Sequence, residues 1–366
     1  MKILFIGDYS NMHACLGAEL RRMGHQVTIL SDGCGYLGSQ TDIRIERNPG
    51  AIGGLRYLLR LFSILPQLKG YDAVQLINPN FLSLKPGKIK YFFKKLREQN
   101  NGIYLSLCGN DHFFVKACAD GKTFRFSEFM VGDSPTEFHK ANPERMNNWL
   151  GEPNKSWNEW LYNHIDGAMS VLPEYDMAAR PILGERAHFT NLPVDLSSLP
   201  YSPLSIDGPL RLFIGIRGGM ELQKGTAYML GIAKELEREM PGMVIVDCVR
   251  NLPLNEYLKR MSQSHIVLDQ YYSYSPATNA LQAMALGRVA GSGAQPEYYD
   301  YINHHTSRPI LSLSPIEPPL KERLRQLILD PSPLYAMSRE GRTIVEHHND
   351  VSIVANRFLN VWQKPR

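Results

Sequence analysis

The stretch KILFIGDYSNMHACLGAELRRMGHQVTIL, residues 2–30, decides the fold. It opens with a continuous apolar run that stops at Gly7, continues with apolar residues at helical spacing, and returns to strand composition at HQVTIL. That is a strand–helix–strand unit. Similar apolar runs recur at YDAVQLIN (71–78), GIYLSL (102–107) and GAMSVL (167–172), with room for crossover helices between them. Strands covered on both faces read as such runs, so they predict a parallel sheet.

A second alternation starts after NLPVDLSSLPYSPLSIDGP (191–209), whose Pro, Ser and Asp content suits an interdomain linker. RLFIGI, MVIVDCV, HIVLDQ, RVAGSG and PILSL are predicted strands, and GTAYMLGIAKELERE, LNEYLKRMSQ, ATNALQAMALG and PEYYDYI are helices between them. The fold class is therefore α/β, two tandem Rossmann-like doubly wound parallel-sheet domains. Residues 1–195 form the first domain, 205–348 the second, and 349–366 a closing helix that returns to the first. Residues 113–165 interrupt the first alternation with a polar, aromatic helical insertion carrying Trp149, Trp157 and Trp160. Its aromatics are expected to cement it to the first domain; an acceptor-contacting lid is the alternative.

At 366 residues the chain is long enough for two cores, and 43% hydrophobic with 21% charged residues is ordinary for a globular protein. A net charge of +4 is too small to argue for nucleic acid. The five cysteines, Cys15, Cys34, Cys108, Cys118 and Cys248, are scattered, odd in number and without a C-x-x-C pair, which suits a reducing cytoplasm rather than a disulfide framework or zinc site. The apolar run before Asp8 is too short for a secretory signal, and no stretch approaches the roughly 20 apolar residues that span a bilayer.

Ligands of open parallel sheets sit beyond the carboxyl ends of the strands. The loop after RLFIGI reads RGGMELQKG. Arg217 offers a planar fork to phosphate oxygens, Gly218 and Gly219 permit close backbone approach, and Lys224 and Gly225 open a helix whose free amides favour an anion.

The C-terminal half resembles the retaining family 4 glycosyltransferases of the GT-B fold. Gly215, Arg217, Lys224 and Gly225 match that family's strand–Gly–Arg–Lys-Gly pattern, and Gln282, Ala283, Met284, Ala285 and Gly287 its Glu-Ala-Met-Ala-x-Gly helix. NLPVD and VEHHNDVSIVANRFLNVW resemble the family's linker turn and closing helix, so the likeness runs nearly the full length. The resemblance implies transfer of a sugar from a nucleotide-diphosphate sugar, without metal or other cofactor, to a glycan or lipid-linked acceptor in cell-surface polysaccharide assembly. Arg217 and Lys224 then stabilise the departing phosphate. Two family glutamates are replaced by Tyr274 and Gln282, in a loop and helix that also offer Ser275, Thr278 and Asn279 to the donor. Glu297 is placed to touch donor hydroxyls or to stabilise its own helix, and Arg250 and Leu252 to face the base.

In the first half SLCGNDHFF resembles the family's Thr-x-His-Gly-x-Asp loop, which keeps Gly109 and Asp111, puts Cys108 in place of the His and leaves His112 out of register. Asp111 is thus implicated in catalysis. Asp8, Ser10, Asn11 and His13 follow the first strand on the acceptor side, and for His13 a capping or core role is an equal alternative. KPGKIKYFFKKLREQ (85–99) is a basic, aromatic helix expected to contact anionic lipid, whereas the apolar LRYLLRLFSIL (55–65), despite Arg56 and Arg60, is expected to pack on the sheet. A degenerate GT-B scaffold and a nonhydrolysing nucleotide-sugar epimerase are the rival readings. A Rossmann dehydrogenase ranks last, since GDYSNMHACLG lacks G-x-G-x-x-G.

Overall fold

The computed structural model describes residues 1–33 and 40–364. The chain divides into two compact units. The first comprises Met1–Lys116, Asn147–Pro193 and the closing segment from Val351; the second comprises Ala117–Met146 and Val194–Asp350.

The first unit is built on a seven-stranded parallel sheet: β1 (Lys2–Ile6), β2 (Gln26–Ser31), β3 (Ile43–Arg44), β4 (Ala73–Leu76), β5 (Gly102–Leu107), β6 (Gly167–Ser170) and β7 (Ala187–Phe189). Their spatial order is β3-β2-β1-β4-β5-β6-β7, so the winding reverses between β1 and β4. Ile3, Phe5, Leu16 and Leu20 share a core with Val354, Ala355, Phe358 and Trp362 of the closing helix Val351–Trp362.

A second sheet of five parallel strands carries the other unit: β8 (Leu210–Ile216), β9 (Val244–Arg250), β10 (Ile266–Leu268), β11 (Val289–Ser292) and β12 (Leu311–Ser312). The order is β9-β8-β10-β11-β12, and the winding reverses between β8 and β10. Crevices at such reversals, at the carboxyl ends of the strands, are where open α/β sheets bind ligands. The far end of the supposed linker is part of this core: Leu204 is buried in it, and Ser202 accepts from Arg288 at 2.5 Å through its carbonyl. Gly287, with φ +77°, lies so close to that carbonyl that a Cβ would overlap it, so the last residue of ALQAMALG is fixed by packing.

Two expectations are corrected here. The insertion does not belong wholly to the first domain, because 117–146 folds onto the second sheet. There Phe124, Phe126 and Phe129 are buried, and Phe126 stacks on Tyr274 with centroids 4.7 Å apart. Trp157 and Trp160 stay with the first unit, packed edge-on against Phe93.

The second correction concerns the apolar helix, which is best seen beside the basic one. Within Pro86–Gln99, Phe92 and Phe93 are buried, Lys90 lies 4.2 Å over Trp160, Lys95 pairs with Glu98 and Arg97 with Asp166. Lys85, Lys88 and Lys94 are exposed. The helix Gly50–Ile64 buries Gly53, Tyr57, Leu61 and Ile64 and turns Ile52, Leu55, Leu59 and Phe62 outward, 71, 58, 59 and 43% exposed. The apolar ridge is on the helix expected to be covered.

Candidate functional site

In the second unit the loops after β8 and β10 meet at the reversal. Gly215 must be glycine because a Cβ would overlap the Tyr257 ring, and Gly219 and Gly225 take the left-handed conformation with φ +80° and +71°. Gly225 also packs tightly, since a Cβ there would lie 2.6 Å from that of Tyr271. Arg217, Gly218 and Gly219 are exposed; Gly218 donates its amide to Asn251 Oδ1 at 3.3 Å, and Arg250 pairs with Glu221 at 3.0 Å. Asn251 was not singled out from sequence, having no motif, yet it ties the glycine loop to the end of β9. Leu252 beside it is half-buried.

Lys224 closes the short helix Glu221–Lys224, and its Nζ is 3.4 Å from Asp269 Oδ1 at the end of β10. Asn279 donates to the same oxygen at 3.4 Å. The Asp269 side chain is 1% exposed, and its second oxygen has no protein hydrogen-bond partner among the described residues. A buried carboxylate holds the ammonium at the crevice while part of its own capacity stays unused. Thr278, Asn279 and half-buried Gln282 lie on the helix Thr278–Ala285 that follows this loop; Ser275 is fully buried.

Tyr274 and Glu297 both meet the hairpin carried by 117–146. The Tyr274 ring is 3% exposed between Phe124 and Phe126, and its hydroxyl accepts the Arg125 amide at 2.6 Å. Glu297 receives both of its contacts from Arg125 Nη2, at 2.9 and 2.8 Å. The aromatic at 274 therefore anchors the inserted hairpin. Gly293 was missed as well: a Cβ there would overlap the Ser273 carbonyl, which seats the loop after β11 on the loop after β10.

In the first unit, the residues expected on the acceptor side mostly hold their own loops. Asp8 caps the helix Met12–Arg22 by accepting the amides of His13 at 2.9 Å and Ala14 at 3.3 Å, while Ser10 and Asn11 take left-handed φ of 52° and 62° at the turn. His13 is fully buried. Burial lowers its pKa to about 3, so the ring is neutral; Nδ1–H donates to the Gly7 carbonyl at 2.6 Å, and Nε2 accepts from Ser106 at 3.2 Å. Ser106 accepts from Gln75 at 2.9 Å, and Gln75 accepts from Trp362 at 3.1 Å, so a buried hydrogen-bond chain runs from the closing helix to the first loop.

Asp111, like Tyr274, is held by internal contacts. Its carboxylate accepts the Tyr162 hydroxyl at 2.6 Å and the Phe114 amide at 2.7 Å, and desolvation raises its pKa. It is a buried helix cap with both oxygens engaged. His112 is turned into the insertion, where Nδ1 meets the Trp149 carbonyl at 2.9 Å. Cys108 and Gly109 are half-buried, and Asn78, unnoticed in the sequence, holds their loop by donating to the carbonyls of Cys108 and Asn110 at 3.1 Å each. Cys15, Cys108, Cys118 and Cys248 are thiols; Cys34 lies outside the described residues. Among the described residues no three His, Cys, Asp or Glu side chains gather as metal ligands.

No protein-family model matches the chain, and no curated protein matches it in sequence. Solved structures do. Sucrose-phosphate synthase from Thermosynechococcus elongatus is 13% identical over 99% of this chain and 98% of its own, with a TM-score of 0.64. HepE from Anabaena, in complex with UDP and glucose, is 13% identical over 100% of both chains, with a TM-score of 0.58. A glycosyltransferase from Rickettsia africae is 12% identical over 99% of this chain and 97% of its own, with a TM-score of 0.55. Such likeness establishes the fold: two Rossmann-like units in the GT-B architecture.

Proposed function

We propose that the protein is a retaining glycosyltransferase that moves a hexosyl group from a nucleotide-diphosphate sugar to a glycan or lipid-linked acceptor in cell-surface polysaccharide synthesis. One observation carries this reading: Lys224, fixed by buried Asp269, stands beside a glycine-lined loop at the sheet reversal of the second unit. HepE, of the same fold, has been solved with UDP-glucose.

In this proposal the bond between the anomeric carbon and the diphosphate oxygen breaks, and the electron pair leaves with the nucleoside diphosphate. Lys224, Arg217 and the amides of the 217–225 loop stabilise that charge where it develops. The acceptor oxygen bonds to the anomeric carbon on the same face, and its proton passes to the departing phosphate. With Asp111 committed to its cap and His13 neutral and buried, leaving-group assistance of this kind matches what the first unit offers.

The engagement of Tyr274 and Asp111 in internal contacts favours a second reading, a nucleotide-sugar-binding scaffold without turnover. A thermal-shift series with UDP, GDP, UDP-glucose and GDP-mannose, followed by assay for sugar release or transfer, separates the two. Ligand at 100 times its Kd adds about 2.7 kcal/mol of stability. Stabilisation with turnover supports the transferase, stabilisation without turnover the scaffold, and no stabilisation defeats both.

We further propose that the first unit rests on the cytoplasmic face of a membrane, through the ridge of the helix Gly50–Ile64 rather than through 85–99 alone. No helix among the described residues is long and apolar enough to cross a bilayer. Ile52, Leu55, Leu59 and Phe62 line one face beside Arg56 and Arg60, and the helix carries no acid, the pattern of an interfacial anchor to anionic lipid. Leu55→Glu with Leu59→Glu is expected to abolish sedimentation with phosphatidylglycerol vesicles at low salt. Unchanged sedimentation of this double variant would remove the ridge from the proposal.

A further inference from the structure

The hairpin carried by 117–146 reaches two neighbouring parts of the crevice rim. Gln223, adjacent to Lys224, donates to Glu128 Oε2 at 2.9 Å, and Arg125 reaches Glu297 after β11. Arg125 and Glu128 are three residues apart, a span of at most about 10 Å of chain. One hairpin therefore touches both the residue beside Lys224 and the carboxylate after β11, which places Arg125 on the rim of the phosphate loop's crevice.

Arg125 is firmly held. Gly132 donates to its carbonyl at 3.0 Å, Phe126 bridges to Val131, and the strands Met130–Val131 and Ser134–Pro135 close the hairpin behind it. Its Nη2 contacts Glu297 and Gln295 Oε1, the latter at 3.2 Å, while its Nη1 has no protein partner among the described residues. The two side chains remain 47% and 30% exposed. A guanidinium that only donates, beside a carboxylate that only accepts, matches two adjacent hydroxyls of a sugar ring.

We propose that the Arg125–Glu297 pair reads a vicinal diol of the donor sugar and so determines donor specificity, taking over from the carboxylate that Tyr274 displaces. This rests on the transferase reading above and goes further by assigning the sugar side of the site to the inserted hairpin. The chemistry selects neutral hexoses with an intact diol over sugars deoxygenated there.

The test compares affinities of the full-length protein for UDP and UDP-glucose, and for GDP and GDP-mannose, in wild type, Arg125→Lys, Arg125→Ala and Glu297→Gln. Wild type is expected to prefer one sugar nucleotide over its own nucleoside diphosphate by at least tenfold. All three variants should bring that ratio to within threefold of one while changing diphosphate affinity less than threefold. A merely structural latch would weaken both ligands together, and that result would overturn the proposal, as would a preserved ratio in Arg125→Lys and Glu297→Gln. Absence of binding to wild type by all four ligands would overturn the transferase reading with it, whereas diphosphate binding without any sugar preference overturns this inference alone.

Discussion

Replacing Lys224 by alanine is expected to lower kcat/KM by about 10²–10³-fold, the loss found when one preorganised charge-stabilising donor is removed. Lys224 has the placement such a group needs. It is 29% exposed, so it is partly withdrawn from water, and Asp269, 1% exposed, sets its position at 3.4 Å. In the proposed transfer the diphosphate of the donor is already charged and gains further charge on the leaving oxygen as the sugar–phosphate bond breaks, so the loss should fall on kcat more than on donor KM. Lys224→Arg, which keeps the charge on a longer fork, should recover part of the rate. Asp269→Asn should reduce kcat through Lys224 and leave the double variant no worse than Lys224→Ala alone, since partners in one unit are not additive. Steady-state kinetics with the donor selected by thermal shift checks this. Turnover of Lys224→Ala within threefold of wild type would end the assignment.

Both sheets could be read from the chain because their strands are continuous apolar runs ending in glycine or a polar residue, and the phosphate loop because RGGMELQKG follows one of them. β3 and β7, with two and three residues, are too short for a periodic signal. The exchange of 117–146 into the second unit was hidden for another reason: Arg125 meets Tyr274 across 149 positions and Glu297 across 172. No local pattern encodes a contact at that separation. The departures from the resembled family were visible as substitutions, yet their meaning depended on that contact. A tyrosine at 274 looks like a weakened ligand until Phe124, Phe126 and the Arg125 amide are seen around it. The charge cluster of 85–99 likewise does not show that Lys90 lies over a tryptophan and that Lys95 and Arg97 pair with acids.

Tyr274→Ala is expected to destabilise the second unit by about 3–5 kcal/mol, the cost of removing a large buried aromatic. For a unit of this size that lowers its melting temperature by roughly 10 °C. The ring fills the space between Phe124 and Phe126, and the hydroxyl is the acceptor for the Arg125 amide, so truncation leaves both a cavity and a lost hydrogen bond. Tyr274→Phe separates these terms: it keeps the packing and strands one amide, for about 1–3 kcal/mol. Tyr274→Glu, the residue that the family resemblance leads one to expect, puts a carboxylate between two phenyl rings and should be as damaging as alanine. Trp149, Trp157, Trp160 and Trp362 all lie in the first unit, so tryptophan fluorescence follows that unit while circular dichroism follows both. The variants should therefore bring the dichroism transition to lower temperature than the fluorescence transition and expose 117–146 to protease. A Tyr274→Ala protein that melts within about 2 °C of wild type by dichroism would mean that the hairpin is held elsewhere. In that case the position of Arg125 would not depend on the tyrosine, and the aromatic at 274 would need another cause.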